Sequence, residues 1–209
     1  MLLALDSAGP PAEHDGMYPL DALLAANYSV PILWLSLFGI DGLVTWPGIE
    51  GPAFTGVVQP RGECIERSRT RLGDWSRRWP EVFDDMSGPW LSYLAGIERA
   101  YLAVWAEELS RMADNDGEWA AELRGYLSSL DDPGSAGFRK ALAQSYLHPD
   151  GSQLEPAGDV GVVTAGYSWE GQAPWEEAEP GSILERVMRD GEARSAGSGM
   201  AALIRRLRR

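Results

Sequence analysis

The sequence has few of the residues that usually reveal a chemistry. It contains a single cysteine, Cys64, so no disulfide can form within the chain, which is typical of a reducing compartment. The two histidines, His14 and His148, together with Cys64 cannot complete a four-ligand zinc site without carboxylates. Both histidines lie in turn-rich segments, so we predict solvated loop histidines, with no metal site and no cofactor.

Positive charge is also scarce. The 209 residues carry 18 Lys and Arg against 31 Asp and Glu, a net charge of −13. Residues 1–60 contain six acids and no base, and residues 80–181 contain nineteen acids and five bases, a net of −14. Bases are concentrated in residues 61–79 and 182–209. Because phosphate contacts need Lys and Arg on the contact face, we predict no nucleic-acid partner.

Signals for export and membrane insertion are weak. The N-terminal stretch has no basic residue before its short apolar run, as a signal peptide would have. Residues 22–40 are uncharged, but Asn27 and Pro31 interrupt them and no Lys or Arg precedes Arg61 to anchor a span. We therefore expect a cytoplasmic protein with no membrane partner.

Two kinds of side chain remain as candidates for catalysis. Arg61 and Arg67 flank Cys64 and would favour its thiolate, but a cysteine nucleophile also needs a histidine base placed in space. Filling of the core is the alternative role for a lone cysteine. Paired acids such as Glu107 and Glu108 carry no local signature, so acid–base catalysis by carboxylates stays open.

Proline and glycine divide the chain into short elements. Residues 1–17 read as an irregular lead-in, and residues 20–26 as a short apolar helix. Alternation and apolar runs predict a three-stranded antiparallel meander and one late strand. The strands of the meander are residues 32–38, 43–46 and 54–58, and the late strand is residues 159–169.

Apolar residues recur every three or four positions in four further segments, which predicts amphipathic helices. The expected fold is α+β: a small antiparallel sheet, made of the early meander and the late strand, with four to five helices packed on one face. The predicted long helices are residues 65–79, 90–112, 119–130 and 135–146, and a short one is residues 183–188.

The domain prediction follows from composition. Residues 1–192 are expected to form a single globular α+β domain. Residues 193–209 are expected to form a flexible linker, rich in small residues, and a basic helical tail with four arginines.

One acidic aromatic segment predicts a binding surface. Most of the nine tryptophans fall on helical stripes, but Trp169 and Trp175 do not. Aromatic anchors within a charged rim are typical of protein interfaces. The alternative is a loop that folds its tryptophans onto its own domain. The predicted partner-binding residues are Tyr167, Trp169, Glu170, Trp175, Glu176, Glu177 and Glu179.

Charge and the lack of a catalytic motif together favour a binding function. We expect a cytoplasmic inhibitory protein that neutralises a basic protein partner, of the immunity-protein or antitoxin type, acting on a bacterial toxin. The alternative is a small carboxylate-dependent hydrolase, with its site in the crevice between sheet and helices.

Overall fold

A five-stranded antiparallel sheet forms the centre of the structure. The structure is a computed structural model that describes residues 1–11, 14–15, 18–19, 21–26, 29–49, 51–113, 115–145, 164–168 and 172–176. The strands are β1 (Leu2–Leu5), β2 (His14–Asp15), β3 (Tyr18–Pro19), β4 (Ala22–Leu24), β5 (Leu43–Trp46), β6 (Phe54–Pro60) and β7 (Tyr101–Val104). The spatial order in the sheet is β4-β1-β7-β6-β5, and β2 pairs with β3 in a separate hairpin.

Both faces of the sheet are apolar, because side chains alternate between the faces along each strand. Leu2 and Leu102 lie on the face that joins the main core, whereas Leu3 and Ala103 lie on the opposite face, in a second apolar cluster. The buried apolar residues of the helices all belong to the main core. They are α1 (Ile32–Leu35), α2 (Arg61–Arg78), α3 (Pro80–Ala95), α4 (Glu107–Met112), α5 (Asp116–Ser129) and α6 (Ala136–Ala143).

The α+β class, the antiparallel sheet and the packing of helices on one face are confirmed. The predicted strands at residues 43–46 and 54–58 are β5 and β6, and the predicted helices at 65–79, 119–130 and 135–146 correspond to α2, α5 and α6. These elements carry strong local signals. Ser135, for example, caps α6 by accepting a hydrogen bond from the Phe138 N–H at 3.0 Å.

The first part of the predicted meander is wrong. Residues 32–38 do not form a strand: they begin with the one-turn helix α1, whose four residues are all buried. A short run that is apolar on every side fits a buried helix as well as a buried strand, so periodicity cannot separate the two. Pro31 precedes the helix, a position where its missing N–H costs no helical hydrogen bond.

The N-terminal prediction is also wrong. Instead of an irregular lead-in, the chain begins with β1, which lies between β4 and β7 in the sheet. Within the expected helix at residues 20–26, Ala22–Leu24 forms strand β4 and pairs with β1. The partner that orders β1 is β7, about 100 residues later in the chain, and a local pattern cannot reveal such pairing.

The predicted helix at residues 90–112 is three elements in the structure. Helix α3 begins at Pro80, continues through Pro89 and ends at Ala95. Strand β7 then crosses the sheet, and the short helix α4 follows. A strand that is buried on both faces shows no alternation of apolar and polar residues. The apolar residues of β7 also fit a helical spacing of three or four positions, so the pattern predicted one long helix.

Of the predicted late strand at residues 159–169, only residues 164–168 are described, and they do not form a regular strand. Tyr167 forms an isolated bridge with Ala25, just beyond β4, through two backbone hydrogen bonds of 2.8 and 2.9 Å. Thr164 and Ala165 lie in a helical turn. The rest of the predicted strand, the short helix at 183–188, the domain limit at residue 192 and the tail at 193–209 lie outside the described residues. No described helix is both long and apolar enough to cross a membrane.

Candidate functional site

The residues just before the acidic aromatic segment, which runs from Tyr167 to Glu179, lie against the body of the protein. The indole N–H of Trp34 in α1 donates to the Ala165 carbonyl at 2.5 Å, and the Thr164 hydroxyl donates to the Met86 sulfur in α3 at 2.9 Å. Gly166 has a φ of 78°, and a side chain there would collide with Trp34. Residues 164–166, which lead into the segment, therefore contact α1 and α3, and Tyr167 pairs with Ala25 just beyond β4.

Trp175 is partly buried rather than fully exposed to solvent. It lies in the 3-10 turn Pro174–Glu176, which contacts α3, and its ring packs against the main core. Tyr167 is also partly buried, beside β4. Trp169, Glu170, Glu177 and Glu179 lie outside the described residues, as does the side chain of Glu176. The expected partner contact of this surface stays a prediction.

Helix α3 presents an acidic face to solvent. Glu81, Asp84 and Asp85 are all exposed and are spaced by three and four positions, so they share the side of the helix opposite its buried residues. In the described chain, none of these three carboxylates forms an ion pair. The basic helix α2 differs, because its Arg69 and Arg77 pair with Glu66 and Asp74 of the same helix.

The buried carboxylate of Glu107 holds a loop. Glu107 is 3% exposed; one of its oxygens accepts from the Ile49 N–H at 3.1 Å and the other from the Arg111 guanidinium at 2.7 Å. These bonds fasten the loop between β5 and β6 to α4. A general base must lie within reach of its substrate, and the Glu107 carboxylate is buried and bonded to this loop.

Asp116 has a similar structural role. Asn115, not Asp116, caps α5 by accepting from the Glu118 N–H. Asp116 instead accepts from the backbone N–H and the hydroxyl of Thr55, at 2.8 and 2.9 Å, and from the Ser110 hydroxyl at 2.9 Å. Neither carboxylate therefore supports the hydrolase alternative.

A buried arginine, which the sequence pattern did not identify, closes the end of α1. Arg71 is 4% exposed, and its guanidinium donates to the carbonyls of Leu35, Ser36 and Phe38 at 3.3, 3.3 and 2.6 Å. It also donates to Asp131 at 2.8 Å and thereby lowers the pKa of that carboxyl. The three carbonyls lie more than thirty positions before Arg71, so no local motif links them.

Cys64 is held as a buried thiol. It is fully buried in the main core, and its sulfur lies 3.7 Å from the Gln59 carbonyl. Burial raises the pKa of the thiol to about 12, and this effect outweighs the attraction of nearby Arg67. A nucleophilic cysteine needs a lowered pKa, so the environment opposes the thiolate expected from its basic neighbours.

Labelling of Cys64 should therefore report unfolding. At pH 8, a pKa of about 12 leaves roughly a thousandfold less thiolate than the ordinary value of 9.0, and burial blocks access. We expect a disulfide reagent to label the native protein at least about a thousandfold more slowly than the urea-unfolded chain. Rapid stoichiometric labelling of the native protein would contradict this environment.

Metal ligands do not gather in the described structure. Among the residues described, no group of three or more His, Cys, Asp or Glu side chains could hold an ion. His14 belongs to β2, but its side chain is not described, and His148 lies outside the described residues.

Comparison with known proteins gives no relative from which a function could be carried over. No family model matches the chain, and no curated protein or solved structure matches it.

Proposed function

We propose that this chain is an inhibitory binding protein that neutralises a basic protein partner, as immunity proteins and antitoxins neutralise bacterial toxins. The observation that carries the proposal is the uncompensated acidic face of α3, within a region whose net charge is −14. Such a surface attracts a basic partner over distance and speeds association. We place this action in the cytoplasm, where a lone buried thiol stays reduced.

Contacts of α3 with the aromatic segment support a single binding surface. The turn Pro174–Glu176 of that segment contacts α3. The proposed surface therefore combines the α3 carboxylates with the partner-binding residues expected from the sequence. In this surface the aromatic side chains slow release of the partner, and the acids mainly set the rate of association.

The internal bonding of the other candidate groups supports the same proposal. The oxygens of Glu107 and Asp116 are used to hold the hairpin, and Cys64 is protonated and buried. An inhibitor that covers a partner's active site needs no catalytic group of its own, so these structural roles are compatible with inhibition.

Co-expression tests the proposal directly. Each protein encoded by a gene beside this one is expressed in bacteria, alone and with this chain, and growth and complex formation are measured. We expect one of these proteins to be basic and toxic, to lose its toxicity in the presence of this chain and to co-purify with it. Failure of every flanking product to bind, or turnover of a substrate by the purified chain, would contradict the proposal.

Neutralising the α3 face should weaken inhibition without unfolding the protein. The triple variant Glu81→Gln, Asp84→Asn, Asp85→Asn removes three exposed charges, so its melting temperature should stay within a few degrees of wild type. Its association rate should fall by about tenfold at low salt. The matched control, Glu63→Gln, Glu108→Gln, Glu118→Gln, removes three exposed acids from other helices. Equal association rates for the two triple variants would show that the α3 face has no special role.

A further inference from the structure

One face of α3 is exposed along the length of the helix. The residues of this face are, in chain order, Glu81, Asp84, Asp85, Gly88, Ser92 and Ala95. The buried residues of α3 lie on the opposite side and enter the main core. A side chain built at Gly88, in the middle of the exposed face, would meet no atom within 4 Å. The face therefore has room for another segment of chain.

Negative charge is concentrated at the start of this face. Glu81 lies three positions before Asp84 and four before Asp85, and like charges at these spacings on a helix repel each other. In the described chain, no arginine or lysine pairs with these three carboxylates. The second half of the face carries only small side chains. A cationic segment would relieve the repulsion, and the small side chains would let it approach closely.

The chain contains a cationic segment of its own, residues 201–209, which we call the basic segment. It carries four arginines and no acid. A guanidinium group can donate two parallel hydrogen bonds to one carboxylate, so arginine is well suited to an acidic helix face. The basic segment lies outside the described residues. Its arginines are Arg205, Arg206, Arg208 and Arg209.

The length of the chain lets the basic segment reach α3. The turn Pro174–Glu176 contacts α3, and about 30 residues separate Glu176 from Arg205. A random coil of that length spans about 30 Å between its ends. Helix α3 has 16 residues and is therefore about 24 Å long. A tether of this kind gives an effective concentration on the order of 1 mM, so even a weak contact is populated.

We propose that the basic segment binds the exposed face of α3 and competes there with the basic protein partner. The competition rests on the proposed function and names how access to the α3 surface is regulated. Two arguments favour the chain's own segment over a second copy as the occupant. A second copy lacks the tether, and it brings another net charge of −13, which opposes association.

A spin label on the basic segment tests the contact in the full chain. The label is attached to Ala202→Cys, because the native Cys64 is buried and reacts slowly. At low salt, the label should broaden the NMR amide signals of α3 around Asp84. Most of this broadening should disappear in about 0.5 M sodium chloride, because salt screens exposed charges.

Variants on both sides of the contact provide the matched controls. The triple α3 variant should lose the broadening, whereas the control triple variant at Glu63, Glu108 and Glu118 should keep it. Replacing all four arginines of the basic segment by glutamine should also remove the broadening. This quadruple arginine variant is Arg205→Gln, Arg206→Gln, Arg208→Gln, Arg209→Gln.

A mixed sample distinguishes the chain's own segment from that of a second copy. Spin-labelled protein without ¹⁵N is mixed with unlabelled ¹⁵N protein, so that only contacts between chains broaden the observed signals. We expect the α3 signals to stay sharp in this mixture. Broadening as strong as within one chain would overturn the proposal and give the α3 face to a second copy.

Association with the partner tests the competition. Removing four positive charges also makes the whole chain more acidic, which by itself speeds capture of a basic partner. A double-mutant cycle with the triple α3 variant separates the two effects. At low salt, the quadruple arginine variant should accelerate association about two- to fivefold more in the wild-type background than in the triple α3 variant.

The outcomes separate this inference from the proposed function. Sharp α3 signals in the labelled wild-type chain, or equal broadening in the triple α3 variant, would overturn the contact. Equal acceleration in both backgrounds would overturn the competition, while neutralisation of the partner still supports the proposed function. If the label broadens the α3 signals but no basic partner is neutralised, the contact is confirmed and the proposed function fails.

Discussion

Replacing Trp105 by alanine should lower the free energy of unfolding by about 3–5 kcal/mol. The side chain is 4% exposed and lies in the apolar cluster on the second face of the sheet. Its ring stacks on Trp46 at 5.7 Å between centroids and meets Phe54 edge-on at 4.5 Å. Truncation would therefore remove a large buried surface and leave a cavity between two aromatic rings. Urea unfolding monitored by circular dichroism measures the loss.

Two controls separate packing from other effects. The Trp105 indole N–H is buried without a hydrogen-bond partner in the described structure, so Trp105→Phe loses no such bond and should cost only about 1–2 kcal/mol. Met112 is 61% exposed, so Met112→Ala should stay within about 0.5 kcal/mol of wild type. An unfolding curve of Trp105→Ala that superimposes on wild type would show that the second face is not a packed cluster.

Replacing Arg71 by leucine should cost about 3 kcal/mol, because three backbone carbonyls at the end of α1 would lose their buried donor. Arg71→Lys keeps the charge but cannot reach these carbonyls and Asp131 with one planar group, so its loss should be intermediate. Equal stability of Arg71→Leu and wild type in urea would contradict the role of Arg71 in holding this turn.

The same pair predicts a pH dependence. Arg71 holds the pKa of Asp131 below its ordinary value of 3.8, so the folded state binds this proton less readily than the unfolded state. The stability from the pair is present above that ordinary value and is lost as the pH falls through the lower folded value. The stability difference between wild type and Arg71→Leu should therefore shrink below about pH 4. A difference that stays constant down to pH 2 would contradict the ion pair.

The sequence correctly predicted those helices and turns whose formation depends on residues close together in the chain. Helices α2, α5 and α6 have clear apolar stripes, and the turn between β5 and β6 is marked by proline and glycine. The wrong predictions concern strands that are buried on both faces of the sheet or that pair with strands distant in the chain. Strand β1 is ordered by β7, and β7 is apolar on both faces, so neither shows the alternation by which strands are recognised.

The polar contacts were harder to predict than the elements, because each joins residues far apart in the chain. Arg71 meets Asp131 sixty positions later, and Thr55 meets Asp116 sixty-one positions later. The sequence showed the acidity of the chain, but only the fold showed which acids are used internally. Glu107 and Asp116 hold a hairpin, whereas Glu81 and its neighbours on α3 face solvent without ion pairs in the part of the chain described.

The rate of association with the proposed basic partner, measured by stopped flow from low to high sodium chloride, tests the central claim most directly. If the acidic surface captures the partner, the rate constant of the wild-type chain should fall steeply as salt screens the charges. The triple α3 variant should start about tenfold lower at low salt and converge on wild type at high salt. Rates that do not depend on salt, and that are the same for wild type and the triple variant, would contradict the account.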